Sequence, residues 1–243
     1  MSFETHVIEP SSGPPPDLQG ALPLRVRAYM ASAIVGYGEP IHLDGILAYA
    51  AFREWSKQND PASLPHIREE WAVDFRLPLQ AWASAVPEQP PYTFHEGLCA
   101  AVQGDDAPKV IWGWAATRET AEWLHHGGRE LRKTPDLDTH KRWGTAPSVN
   151  IGSGTSKAKN VVVPSRFALH LDWYCLGLES VVRQWLNEHV THLGRLKNHG
   201  CGQVLRWTVT PEAQAPPSSV LARPLVRGSS VRPPYHHPSR RLW

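Results

Sequence analysis

The clearest signal in the first third of the chain is an alternation of period two. Leu24, Val26, Ala28 and Met30 fall on one side of an extended segment and Arg25, Arg27 and Tyr29 on the other, which predicts a half-buried strand from Leu22. Gly36-Tyr37-Gly38-Glu39-Pro40 interrupts it. Ile46, Leu47, Tyr49, Ala50 and Phe52 then mark an apolar helix ending near Trp55. Residues 60–70 read as loop. Phe75, Leu77 and Leu79 alternate weakly, and Pro78 confines any strand over residues 74–82 to a sheet edge. Two strands are predicted over residues 92–103 and 108–117, around Gly104-Asp105-Asp106, with Val110, Trp112 and Trp114 in alternation. A short helix is predicted over residues 119–133.

Residues 134–160 form the longest irregular stretch, and an insertion of that length inside a domain is functional or disordered. Val161-Val162-Val163 and residues 167–176 read as further strands. Val182, Trp185, Leu186, His189, Val190 and Leu193 recur at three- and four-residue steps, predicting an amphipathic helix over residues 179–192 that stops at Gly194. A basic, glycine-bearing loop and a strand over residues 203–210 follow. Trp173 and Tyr174 are adjacent in a strand, so at most one faces a core; packing is the expected role of Trp173, Trp185 and Trp207. This mixture predicts an α+β fold with an antiparallel sheet. Residues 1–20, rich in Pro, Ser and Gly, read as a flexible leader, residues 21–210 as the folded domain, and residues 211–243 as a Pro/Arg-rich tail.

Composition narrows the class. With 41% hydrophobic and 20% charged residues the chain is of ordinary globular type, and its 23 prolines argue against an all-helical fold. No apolar run approaches the roughly 18 to 20 residues that cross a bilayer. The first 20 residues lack a basic, then apolar, signal pattern, and three scattered cysteines fit no disulfide framework, so a reducing cytoplasm is expected. Charge is uneven. Residues 1–150 hold 13 Lys/Arg against 19 Asp/Glu, a net of −6, whereas residues 151–243 hold 12 against 4, a net of +8. A basic second half on a near-neutral chain points to a polyanion-binding face or to a basic tail.

The most specific segment is Gly194-Arg195-Leu196-Lys197-Asn198-His199-Gly200-Cys201-Gly202-Gln203-Val204. Its glycines permit positive φ and close approach of the main chain to a ligand; amides and the Arg195 and Lys197 charges suit phosphate oxygens. It is neither a Walker A loop nor a dinucleotide fingerprint, and an ordinary helix–strand connection remains the alternative.

This loop, set between a helix and a strand, resembles the glycine-rich loop of the RAMP superfamily, the ferredoxin-like RNA-binding proteins of CRISPR systems. Ser153-Gly154-Thr155-Ser156-Lys157-Ala158-Lys159, running into Val161-Val162-Val163-Pro164, is similar to a segment of the type IV effector subunit that caps the 5′ handle of the guide RNA. Ile41 to Ala48, Leu169 to Gly177 and Arg223-Pro224-Leu225 resemble that family's first helix, later core strand and basic tail; Gly177-Leu178-Glu179 departs from its Gly-Asp. The likeness spans about residues 22–238. It implies a ferredoxin-like core with inserted loops and an extended tail, no catalysis, no cofactor and no metal. It implies RNA contacts from Lys157, Lys159 and the loop residues Gly194, Arg195, Lys197, Asn198, His199, Gly200 and Gly202, and the further candidate RNA-binding residues are Lys141, Arg142, Ser153, Gly154 and Arg166. Trp143, beside Lys141 and Arg142, offers a ring for a splayed base. Implied partners are the guide RNA (crRNA), the repeating backbone subunit, the large subunit and the guide-processing ribonuclease, with target DNA nearby; no membrane is implied.

Catalysis has a weaker case. RAMP relatives that cut RNA without metal use a histidine near the first helix, where His42 stands, and His199 lies in the glycine loop. His42 also suits a helix entry, and that structural role is the preferred reading. His125-His126 and His236-His237 are adjacent pairs without zinc spacing, and no Gly-x-Ser-x-Gly elbow is present. A guide-maturing ribonuclease and a protein-only assembly subunit remain the alternatives.

Overall fold

The computed structural model describes residues 3–8, 13–36, 38–63, 73–85, 99–101, 109–133, 159–213, 230–233 and 235. Its central layer is a three-stranded antiparallel sheet. β2 (Leu22–Met30) lies in the middle, flanked by β10 (His170–Gly177) and β11 (Val204–Pro211). The period-two pattern explains the arrangement: Leu24, Val26, Ala28 and Met30 are buried, as are Leu171, Trp173 and Cys175 on β10 and Trp207 and Val209 on β11. Both helices, α1 (Leu43–Trp55) and α2 (Glu179–His189), cover that apolar face with Leu43, Ile46, Leu47, Ala50, Val182, Trp185 and Leu186. The indoles of Trp173 and Trp207 donate to the carbonyl oxygens of Ile41 and Val190, at 2.8 Å each, so neither buried N–H is left unpaired.

The free edge of β10 is lined antiparallel by residues 115–120. Ala116 bridges Cys175, Thr120 bridges Asp172, and the Thr117 amide donates to the Tyr174 carbonyl at 2.9 Å. Between α1 and this edge lie β4 (Asp74–Phe75), β5 (Ala81–Ala85), β6 (Cys99–Ala101) and β7 (Lys109–Trp114), the last three forming a sheet in the order β5-β7-β6. Pro78 splits the strand expected over residues 74–82 into β4 and β5, because it cannot donate a ladder hydrogen bond. The third sheet joins β3 (Ile34–Val35), β9 (Lys159–Phe167) and β8 (His125–Lys133). The fold is thus mixed α and β with mostly antiparallel sheets, and no helix among the described residues is long and apolar enough to cross a membrane.

Four expectations need correction. The helix over residues 119–133 is instead an extended edge leading into β8, which pairs with β9 at nine successive positions from His125↔Phe167 to Lys133↔Lys159. Gly127-Gly128 weakens any helix there, and the long partner decides for strand. The flexible leader is partly docked: β1 (Val7–Ile8) pairs with β4, Ile8 is buried, and Phe3 packs edge-on against Trp185 at 5.5 Å. The tail is also partly docked. Val231, Arg232 and Pro233 are buried, and Arg232 donates to Asp74 at 3.2 Å and to the Trp112 carbonyl while lying 4.0 Å over the Trp112 ring. Arg232 therefore belongs to the interior and not to a basic surface. α2 ends at His189, three residues short of the expected limit.

Candidate nucleic-acid interface

The glycine loop leaves α2 through Val190, whose apolar side chain is buried, and returns as β11. Its path rests on four residues in the left-handed region: Gly194, Leu196, Gly200 and Gly202, at φ 78°, 62°, 70° and 69°. At Gly202 only hydrogen fits, since a Cβ would lie 1.7 Å from the Leu193 carbonyl oxygen; at Gly200 nothing lies within 4 Å. Most of the loop's amides are turned inward. Arg195 donates to the Val35 carbonyl, Gly202 to Ala33, Gln203 to the Ser32 hydroxyl, and His199 and Cys201 to Leu196. The expectation that these amides lie open to phosphate oxygens is corrected for those five. Three of them hold the loop to Ser32, Ala33 and Val35, in and just before β3, and two close a turn on Leu196. What the loop offers outward is side chains, with Arg195, Lys197, Asn198 and His199 all exposed.

β8 and β9 meet this loop from the side. Arg129 donates to the His199 carbonyl at 3.2 Å, and Val35, Val163 and Cys201 form a small buried cluster against which Leu131 and Leu196 pack. The hairpin therefore stands against the glycine loop. At its far end Lys133 and Lys159 are paired in register, and the connecting residues 134–158 leave and return there. Lys141, Arg142, Trp143, Ser153, Gly154 and Lys157 lie outside the described residues, as does the side chain of Lys159.

Arg166 does not join this group. Its guanidinium donates to Glu119 at 2.8 Å and to the Glu39 carbonyl at 3.1 Å and lies 4.1 Å over the Trp123 ring. Glu119 in turn accepts from the Ile41 amide at 2.6 Å, so Arg166 ties β9 to the entry of α1. His42 stands at that entry with its ring 5.2 Å from Tyr235, whose hydroxyl donates to the buried Asp44 carboxylate. The contact fastens residue 235 to the start of α1.

Two further features were not found by motif reading. The outward face of the central sheet carries Arg25, Arg27 and Tyr29 from β2, with Asp172 accepting from Arg27 at 2.6 and 2.7 Å and from Arg25 at 2.8 Å. Arg206 lies 4.1 Å over the Tyr29 ring, and the two guanidinium groups beside it hold the Tyr29 phenol below its usual pKa. The alternation in β2 already placed these residues on one side; only the strand pairing shows that Arg206 and His170 join them.

Glu54, Glu188 and His189, at the C-terminal ends of the two helices, bring their ligand atoms within 4.8 Å of one another. Lys57 fills that space as the cation, 2.7 Å from Glu54 and 3.1 Å from Glu188. Burial raises the Glu54 pKa, but hydrogen bonds from Lys57 and His189 outweigh it and leave the carboxyl below its usual value. This arrangement is a bridge between helices. Cys175 is fully buried, its thiol pushed up to about 12 by desolvation, and is chemically inert there. Compared with protein-family models and with curated proteins, the sequence matches none.

Proposed function

We propose that the chain is a non-catalytic RNA-binding subunit of the RAMP superfamily, seating the 5′ handle of the guide RNA in a type IV CRISPR effector complex. The observation that carries this reading is the meeting of two segments far apart in sequence. The glycine loop, which the family resemblance assigns to RNA, and the β8–β9 hairpin, whose connection carries further residues of that assignment, are joined by the Arg129 contact to His199. Exposed Arg195 and Lys197 stand on the loop, and the connection at the end of the hairpin carries Lys141, Arg142 and Lys157 in its sequence. Cations exposed on the loop and present in the sequence of the hairpin's connection suit a ribose-phosphate ligand.

The strand order supports a ferredoxin-like core. β11, β2, β10 and the edge over residues 115–120 lie side by side, each antiparallel to the next, with both helices on one face. The core elements in chain order are strand, helix, edge segment, strand, helix, strand, with β4 to β7 inserted before the edge segment, β8 and β9 after it, and the short β3 between the first strand and helix. The repeating backbone subunit, large subunit and guide-processing ribonuclease are the partners in this reading, and the setting is the cytoplasm.

Incubating the full chain with labelled repeat RNA tests the reading against its enzymatic alternative. Retarded but uncut RNA is expected, unchanged by His42→Ala. Cleavage that disappears in His42→Ala would establish the ribonuclease instead, and absence of any RNA binding would contradict both.

A further inference from the structure

Among the described residues no helix covers the outward face of the central sheet, and the composition of that face is unusual. Strand register sets out three rows: His170–Tyr29–Arg206, Asp172–Arg27–Thr208 and Tyr174–Arg25–Thr210. None of these nine side chains is aliphatic. Five of them are planar and cationic or aromatic in the first two strands alone: Arg25, Arg27, Tyr29, His170 and Tyr174.

The charges are not equally engaged. Arg25 and Arg27 share the Asp172 carboxylate, 12% exposed, which His170 approaches to 3.9 Å. Arg206 does not share that carboxylate. It is exposed, forms no ion pair among the described residues, and lies 4.1 Å over the Tyr29 ring, while His170 lies 6.4 Å away on the other strand. The first row therefore presents an imidazole, a phenol and a guanidinium side by side across roughly two strand spacings of about 4.8 Å each. Guanidinium and aromatic planes of this kind stack on exposed base faces, which a single strand offers and a double helix does not.

We infer that this sheet face is a second RNA contact, on which an unpaired base of a single-stranded RNA stacks against the Tyr29–Arg206 pair while Arg206 meets an adjacent phosphate. The inference rests on the proposed RNA-binding role and adds to it a site away from the glycine loop. It predicts base-dependent binding here, in contrast to the backbone binding assigned to Arg195 and Lys197.

The test is fluorescence anisotropy of the full chain with a labelled oligouridine and with an abasic ribose-phosphate chain of equal length. Tyr29→Leu is expected to weaken oligouridine binding roughly tenfold and to leave the abasic chain unaffected. Arg206→Lys, which keeps charge but loses the plane, is expected to follow Tyr29→Leu on oligouridine; it serves alone if Tyr29→Leu does not fold. Arg195→Ala/Lys197→Ala is expected to weaken both ligands. If that double variant weakens binding but neither sheet substitution does, the inference is wrong and the RNA-binding role stands. Equal loss on both ligands in the sheet variants also overturns it, since stacking is then not involved. If the unaltered chain binds neither ligand, the role and the inference fall together.

Discussion

Gly200 and Gly202 share a left-handed backbone but differ in what surrounds them, and this separates conformational strain from steric overlap. Gly200→Ala adds a methyl to open space, so its cost is the left-handed penalty alone, about 1–2 kcal/mol. Gly202→Ala adds the same penalty and forces the Cβ to 1.7 Å from a carbonyl oxygen, so its loss of stability exceeds that of Gly200→Ala in urea denaturation. Equal losses would show that the Leu193 carbonyl gives way. Arg232 offers a second residue-scale test. With Arg232 and Asp74 exposed to only 2% and 4%, Arg232→Ala takes the guanidinium away from a buried carboxylate and is expected to cost about 3–5 kcal/mol. The double change Arg232→Met with Asp74→Leu recovers most of it; a double variant no more stable than the single one would contradict the pairing. Nothing in the composition of the tail marked Arg232 apart from Arg223 or Arg227. Its role depends on where Trp112 and Asp74 stand, some 120 and 158 residues earlier in the chain.

Among the elements, β2 and α2 were legible because each carries a full amphipathic period on one side: Leu24 to Met30 in steps of two, and Val182, Trp185 and Leu186 in steps of three and one. β8 was not, since residues 125–130 are all exposed and so show no periodic burial; only the pairing with β9 makes them a strand. The same reasoning explains why Arg129 was missed as the link to the glycine loop. The two helices are joined by Glu54, Lys57, Glu188 and His189. The carboxyls of Glu54 and Glu188 are both held below their usual value of 4.5, so their contribution is fully present above that pH and is lost as pH falls below it. Lys57 is raised above 10.5, so its contribution persists through neutral pH and is lost only as pH rises beyond that. Lys57→Met is accordingly expected to flatten the fall of Tm between about pH 5 and 3, with little change in its slope above pH 6. A Tm profile parallel to that of the unaltered chain would show that the bridge is not coupled to folding.

For the whole molecule, the central sheet, its helices and the edge over residues 115–120 make a frame from which the glycine loop and the β8–β9 hairpin project together. The loop was legible as a motif, but its mechanism was not. Sequence spacing suggested open amides, whereas Ser32, Ala33, Val35 and the loop's own Leu196 accept five of them, and Arg195 and Lys197 stand outward. The proposed function therefore predicts binding through side-chain charge, which responds to salt in a countable way. The most direct measurement is the affinity of the full chain for labelled guide RNA across a salt series, with and without Arg195→Ala/Lys197→Ala. Each phosphate contact on a single strand contributes about 0.7 to the slope of log affinity against log salt, so the double variant is expected to bind more weakly with a slope shallower by about 1.4. An unchanged affinity and slope would remove the glycine loop from the RNA interface and contradict the account.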